Sequence, residues 1–132
     1  MDEAIRKLVR RRAGHRCEYC HLPQHAAPYV TFHIEHIRAR QHQGDDDPLN
    51  LAEACPDCNA KKGTNLTTIS PDSNKIVPLF NPRMHVWADH FAMVGAEIVG
   101  LTEIGRATVR LLDMNEDERV VMRAELQGEG LL

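Results

Sequence analysis

The chain has 132 residues, of which 42% are hydrophobic and 27% are charged, and its formal net charge is −3. This length suits one domain or one domain with a short extension, and the composition is ordinary for a globular protein. No apolar run approaches the roughly 20 residues of a membrane-spanning helix, and the charged N-terminus lacks the apolar region of a secretory signal. We therefore expect a cytoplasmic protein rather than a membrane, secreted or disordered one.

A helix is predicted over residues 2–13, followed by Gly14 as a stop. Its apolar stripe consists of Ala4, Ile5, Leu8 and Val9. Residues 1–16 carry six Lys or Arg against two acidic residues, whereas residues 66–132 carry six against ten. This asymmetry places any contact with a polyanion in the N-terminal half, although a solvated helix face is the alternative interpretation.

Four cysteines form two pairs of the same spacing, Cys17 with Cys20 and Cys55 with Cys58. Two thiolates three positions apart can hold one ion from a tight turn, and two such turns complete a closed tetrahedral shell of four sulfurs. A closed shell is typical of a structural zinc site rather than a catalytic one. A redox dithiol is the alternative, but no βαβ pattern surrounds the second pair. The sequence therefore predicts one structural Zn²⁺.

The segment between the cysteine pairs predicts a strand, a loop and a second strand. Residues 29–37 alternate in polarity, which indicates a strand with two distinct faces. We expect Val30, Phe32 and Ile34 to face the core and Thr31, His33 and Glu35 to face the other side. The polar stretch 38–48, with its run Asp45-Asp46-Asp47, predicts a solvated loop. A strand-like segment at 49–54 and a short helix at 56–62, ending at Gly63, complete the order.

The C-terminal half begins with a turn-rich stretch at 64–82 that contains one apolar segment, 76–80. Residues 86–101 predict a hairpin around Gly95. Its core candidates are Phe91, Met93, Ile98 and Val99.

Two helices are predicted after this hairpin. Thr102 is a candidate cap for a helix that runs through Leu112. Asn115, with Glu118 three positions later, resembles a capping arrangement for a last helix at about 116–127.

Glu35 and His36 stand together where the first strand ends. Neutral imidazole can accept a proton from water near neutral pH, and a carboxylate is an oxygen ligand suited to Mg²⁺ or Mn²⁺. Asn59 could supply an amide oxygen to the same ion, and Lys61 and Lys62 could contact phosphate oxygens. The order and spacing of these residues, rather than any one of them, favour phosphodiester hydrolysis.

This arrangement resembles the HNH endonuclease family. The matching stretches are Glu35-His36-Ile37, Leu49-Asn50-Leu51 and the run from Cys55 to Gly63, and the Cys17/Cys20 pair fits the zinc-bound subgroup. The resemblance covers about residues 10–65, and the tail also looks like the extension of a bacterial and phage-type subgroup. It implies an α+β fold: a ββα-metal core around a four-cysteine zinc site at 1–66, and a C-terminal extension of a hairpin plus helices at 67–132.

The resemblance assigns roles to four residues. His36 matches the general base, and Glu35 matches a metal-ligand position. Asn50 matches the middle letter of the motif, which braces the loop behind the base. Asn59 matches the third letter, where Asn in place of the frequent His favours Mg²⁺ or Mn²⁺. Gln43 departs from the family pattern, because many members have a glycine there.

The implied function is a metal-dependent endonuclease that hydrolyses phosphodiester bonds of DNA, with RNA open as a substrate. The candidate nucleic-acid contacts are Arg11, Arg12, Lys61 and Lys62. The alternatives are a non-catalytic zinc-stabilised module that binds nucleic acid, and an assembly module that binds a protein partner. No membrane partner is expected, and the sequence leaves open the oligomeric state, the target sequence, and nicking versus double-strand cleavage.

Overall fold

The computed structural model describes residues 1–132, which form five α-helices and six short strands. The helices are α1 (Glu3–Arg12), α2 (Pro56–Lys62), α3 (Trp87–His90), α4 (Glu103–Leu111) and α5 (Asp117–Gly128). The strands are β1 (His33–His36), β2 (Leu51–Ala54), β3 (Thr67–Ile69), β4 (Ile76–Pro78), β5 (Phe91–Val94) and β6 (Glu97–Gly100). Consecutive strands pair into three separate antiparallel hairpins. None of the helices combines the length and apolar character needed to cross a lipid bilayer.

The first hairpin and the helix after it form a ββα unit. In its register Glu35 pairs with Ala52, and His36 pairs with Leu51. Helix α2 begins directly after β2, because Cys55 acts as its N-cap and Pro56 occupies its first turn. Gly63 ends the helix at a positive φ of 53°, a conformation that glycine adopts at little cost. The α+β class and the predicted helix at 56–62 are therefore confirmed.

Strand β1 is shorter than the predicted strand at 29–37, and its faces differ from the expectation. The Gln24 side chain donates to the Val30 carbonyl at 2.6 Å and accepts from the Phe32 amide at 2.8 Å. These two backbone groups are therefore bonded to a side chain rather than to a neighbouring strand, and β1 begins after them. Phe32 is buried as predicted, but Val30 is exposed and Glu35 is buried. The expectation that Glu35 faces away from the core was wrong, because its carboxylate has buried partners, described below.

Helix α1 is attached through arginines more than through its apolar stripe. Only Val9 of that stripe is buried, and Leu8 is 43% exposed. Arg10 donates to the Phe32 carbonyl and to Glu53, and Arg12 donates to the Leu51 carbonyl at 2.7 Å. Two of the helix's cations therefore hold it against the first hairpin.

The C-terminal half contains the predicted hairpin around Gly95, formed by β5 and β6. Phe91 and Ile98 are buried, whereas Val99 is exposed, since neighbouring residues of a strand point to opposite faces. The hairpin β3–β4 was not predicted, because prolines and polar residues dominate that stretch.

Thr102 caps α4 as predicted, accepting from the Gly105 amide at 3.0 Å. The cap predicted for the last helix was wrong, because Glu116 takes that position. Asn115 instead exchanges two hydrogen bonds of 2.8 Å with the backbone of Ile98.

One apolar cluster joins the two halves of the chain. Its buried members include all four cysteines, together with Phe80, Phe91, Ile98, Leu112 and Met114 from the C-terminal half. The extension therefore packs directly against the turns that carry the cysteines.

Candidate functional site

The four cysteines form a buried cluster suited to one metal ion. All four are free thiols, and their sulfur atoms lie within 4.8 Å of one another. The Cys20 and Cys55 sulfurs are 3.7 Å apart. Four sulfurs at 2.3 Å from a tetrahedral Zn²⁺ would be about 3.8 Å apart. The donor set and its spacing therefore fit a closed four-sulfur site.

Residues from the C-terminal half contact both cysteine turns. The Trp87 indole donates to the Tyr19 carbonyl at 2.8 Å, and its ring stacks on His21 at a centroid distance of 4.0 Å. At the second cysteine pair, Arg119 Nη2 lies 3.0 Å from the Cys58 sulfur. The extension therefore contacts the first cysteine turn through Trp87 and the second pair through Arg119.

Glu35, His36 and Asn59 line one open groove of about 430 Å³. The groove is bounded by β1, by the turn that follows it and by α2. Other residues that line it include His33, Arg40, Gln41 and Thr64. Three of the four predicted catalytic residues are therefore brought together, and the fourth, Asn50, lies outside the groove.

His36 is held by a carboxylate that the sequence did not single out. Its Nε2 lies 2.7 Å from Asp46 Oδ1, and the same oxygen accepts from Arg40 at 2.9 Å. The hydrogen bond from His36 and that from the N-terminal amine lower the pKa of Asp46 to about 2. Asp46 belongs to the acidic run interpreted as a solvated loop, and nothing in that run marks one of its three aspartates as the partner of His36.

The Glu35 carboxylate is buried between two donors. Tyr19 Oη donates to Oε1, and Lys62 Nζ lies 3.1 Å from Oε2 and donates to the Ile37 carbonyl at 2.9 Å. Burial raises the pKa of Glu35, and Lys62 and Tyr19 oppose that shift. A carboxylate has about four acceptor positions, so two remain after these contacts. Lys62 is 2% exposed, and the expectation that it contacts phosphate was wrong.

Asn50 ties together the two ends of the loop that carries Asp46. Its Oδ1 accepts from the Arg38 amide at 2.9 Å, and its Nδ2 donates to the Arg38 and Asp45 carbonyls at 3.0 and 2.9 Å. Gly44 permits this close approach, because a Cβ there would lie 1.6 Å from the Arg38 carbonyl oxygen. These contacts are what a bracing role for Asn50 requires.

The cysteines and the groove residues lie in a segment that matches a known protein family. The model of the HNH endonuclease family matches residues 17–65. This segment is therefore similar to HNH endonucleases. It contains the four cysteines together with Glu35, His36, Asn50 and Asn59.

One relative among curated proteins is similar to more of the chain. The Septu protein PtuB of Bacillus thuringiensis is 34% identical over 79 residues. That alignment covers 60% of this chain but only 28% of PtuB. No solved structure matches the chain significantly.

Around the HNH segment, the predicted nucleic-acid contacts differ in exposure. Lys61 is 55% exposed and lies 3.7 Å from Asp113, and Arg11 is exposed on α1. Arg12 is exposed, but its guanidinium donates hydrogen bonds to the Leu51 and Pro48 carbonyls. Arg40, which the sequence analysis did not select, is exposed beside the groove.

Proposed function

We propose that this protein is a metal-dependent HNH endonuclease that hydrolyses phosphodiester bonds of DNA. The observation that carries the proposal is the groove of the HNH segment, in which His36, Glu35 and Asn59 converge. A histidine paired with a carboxylate beside an open groove is an arrangement suited to general base catalysis.

In this proposal His36 accepts a proton from the attacking water. Asp46 accepts a hydrogen bond from Nε2, which fixes the tautomer and leaves Nδ1 as the nitrogen that takes the proton. The Asp46 carboxylate then stabilises the imidazolium that forms, much as a carboxylate does in other base–orienter pairs. Asp46 is therefore a positioning residue and His36 the catalytic base.

A divalent ion, Mg²⁺ or Mn²⁺, would be held by the Glu35 carboxylate and the Asn59 amide oxygen. When bound, such an ion stabilises the negative charge that develops on the phosphate and on the leaving oxygen. Tyr19 and Lys62 would orient Glu35 from behind, since carboxylates that hold metals are commonly hydrogen-bonded themselves. Their contacts leave two acceptor positions of Glu35 free.

The four-cysteine cluster would hold a structural Zn²⁺. Its sulfur spacing fits a closed tetrahedral shell, which has no position for a substrate. The cluster fixes the first cysteine turn against α2, and the same turn carries Tyr19, which contacts Glu35. Zinc would therefore support the groove without entering the reaction.

Exposed cations, of which Arg40 lines the groove, would bind the phosphate backbone. Arg40, Lys61 and Arg11 are exposed, and contacts of this kind release counterions, so binding should weaken as salt rises. Backbone contacts carry no base information, and RNA is therefore tested alongside DNA.

The test compares the wild-type protein with His36→Ala on supercoiled plasmid, and in parallel on RNA, in the presence of Mg²⁺ or Mn²⁺. The wild type should nick or linearise the plasmid, and the variant should not, while both keep stoichiometric zinc. His25→Ala is the matched control, because His25 is exposed and lies outside the groove. Equal cleavage by the wild type and His36→Ala would refute the assignment of the base.

A non-catalytic nucleic-acid-binding module is the second candidate, because the Glu35 carboxylate is buried and paired with Lys62. This candidate predicts salt-sensitive binding of DNA or RNA with no cleavage at any divalent ion tested. It also predicts that His36→Ala binds nucleic acid as the wild type does.

A further inference from the structure

We infer that helix α5 completes the metal centre: Arg119 and Arg123 neutralise the charge of the zinc–thiolate cluster, so the extension helps the protein to retain its metal. The inference rests on the zinc occupancy proposed above. It assigns a function to the C-terminal extension, which the HNH match at residues 17–65 does not include.

Arg119 makes a direct contact with a ligand sulfur. Its Nη2 lies 3.0 Å from Cys58 Sγ, while Nη1 donates to the Leu112 and Asp113 carbonyls at 2.6 and 3.0 Å. The two hydrogen bonds to carbonyls fix the plane of the guanidinium and direct its Nη2 toward the sulfur. The nearest carboxylate oxygen, on the exposed Asp57, is 3.9 Å from Nε. The sulfur is therefore the closer anionic partner.

Arg123, one turn later in α5, is 2% exposed and has no carboxylate within 4.0 Å. Its guanidinium donates only to neutral oxygens: Nε to the Ala96 carbonyl at 2.7 Å, and Nη2 to the Met114 carbonyl at 2.7 Å and to Asn115 Oδ1 at 3.0 Å. A buried cation without a countercharge is strongly disfavoured. Arg123 and Arg119 line one cavity of about 130 Å³ together with Cys20, so the cysteine cluster is the buried anionic group on the same cavity wall.

The net charge of the zinc–thiolate cluster is equal and opposite to that of the two arginines. A thiol that coordinates a metal is deprotonated, so four thiolates and one Zn²⁺ carry a net charge of −2. Arginine stays protonated in proteins, so Arg119 and Arg123 contribute +2. Glu116, Glu118 and Asp57 also line the cavity. Glu118 and Asp57 are exposed, so water screens their charges. The half-buried Glu116 carboxylate accepts from the Glu118 amide as the N-cap of α5 and lies more than 4.0 Å from both arginines.

The N–H···S bond should also change the sulfur itself. A donor on a thiolate withdraws electron density, so it weakens attack by protons and alkylating reagents at that sulfur. Partners in the outer shell of a metal site typically change metal affinity by about 10–100-fold when they are removed. The arginines and the metal therefore stabilise each other across the boundary between the two halves.

The test measures zinc in the full-length chain. Zinc content of the wild type is determined first, and release to a coloured chelator is then followed for the wild type, Arg119→Gln and Arg119→Lys. We expect Arg119→Gln to release zinc at least about tenfold faster than the wild type. The rate for Arg119→Lys should lie between these two, because lysine keeps the positive charge but has only one nitrogen to donate to both the carbonyls and the sulfur. Arg106→Gln is the matched control, since Arg106 lies on the same extension but pairs with Asp72 at the surface.

A spectroscopic measurement separates this role from general destabilisation. In the cobalt-substituted protein, loss of the N–H···S bond makes the thiolate a stronger donor and should move the sulfur-to-cobalt absorption band to longer wavelength in Arg119→Gln but not in Arg106→Gln. Zinc release within twofold of the wild type together with an unmoved band would overturn the inference and leave the proposed zinc site standing. A wild type that binds no zinc would overturn both.

Discussion

The buried pair of Glu35 and Lys62 gives a sharp test of the groove's architecture. Lys62→Met keeps most of the aliphatic chain but removes the ammonium that lies 3.1 Å from Glu35 Oε2 and donates to the Ile37 carbonyl. Removing one partner of a buried ion pair costs about 3–5 kcal/mol. Because Tyr19 still donates to Glu35, we expect a loss near the lower end, about 3 kcal/mol of unfolding free energy.

The measurement is urea unfolding at fixed zinc concentration, analysed by linear extrapolation. Lys61→Met is the matched control, because the neighbouring lysine is 55% exposed and its 3.7 Å contact with Asp113 is a surface ion pair. That control should cost less than about 1 kcal/mol. The double variant Glu35→Gln with Lys62→Met should recover part of the loss, since no unpaired charge remains. Equal costs for the two lysines would refute the buried pair.

The pH dependence of the Lys62→Met variant has a definite sign. Burial already raises the pKa of Glu35, and Lys62 is the largest influence that opposes this shift. Without Lys62 the pKa of Glu35 should rise further above its unfolded value. A carboxyl whose folded pKa is raised favours the folded state at low pH and loses that contribution as pH rises through the folded pKa. The variant should therefore be more destabilised at alkaline than at mildly acidic pH, and the opposite trend would contradict this account.

Three further predictions follow from the loop and the hairpins. The pKa of the Asp46 carboxyl, measured by NMR, should be about 2. Its contribution to stability is therefore present above the ordinary pKa of about 3.9 and is lost as pH falls toward 2. In His36→Ala this pKa should rise, and a wild-type value near the ordinary one would contradict the pairing of His36 with Asp46. If the proposed function holds, Gly44→Ala should lower plasmid cleavage by about tenfold or more, because its Cβ would lie 1.6 Å from a carbonyl oxygen and would shift the loop beside His36. Gly128→Ala is the control, because the space around its Cβ is open, and it should cleave as the wild type does. Asn115→Ala should lower the free energy of unfolding by about 2 kcal/mol or more, because the backbone N–H and C=O of the buried Ile98 both lose their partner. The measurement is thermal or urea unfolding. A loss below about 0.5 kcal/mol would contradict this expectation.

The sequence predicted those parts of the site that depend on local spacing. The two cysteine pairs and the helix that begins at the second pair depend on residues within a few positions of one another, and so does the cap at Thr102. The burial of Glu35 could not be predicted, because alternation shows which residues share a face but not which face finds buried partners. Those partners, Tyr19 and Lys62, lie 16 and 27 positions away in the chain.

The pairing of His36 with Asp46 escaped prediction for a related reason. Three consecutive aspartates are equivalent in a sequence pattern, and only the closed loop selects the middle one. That closure depends on the hydrogen bonds of Asn50 and on the absence of a Cβ at Gly44. The family motif indicates Asn50, but the contact of Asp46 with His36 is visible only in three dimensions.

The contact of Trp87 with the first cysteine turn gives the protein a built-in optical reporter. Trp87 is the only tryptophan of the chain, and its indole is both hydrogen-bonded to the Tyr19 carbonyl and stacked on the His21 ring. Its fluorescence therefore comes from the joint between the two halves and from nowhere else. During removal of zinc by a chelator, a change in emission intensity or wavelength at unchanged helical circular dichroism would show that the contact of Trp87 with the first cysteine turn is lost before the protein unfolds. No added label is needed.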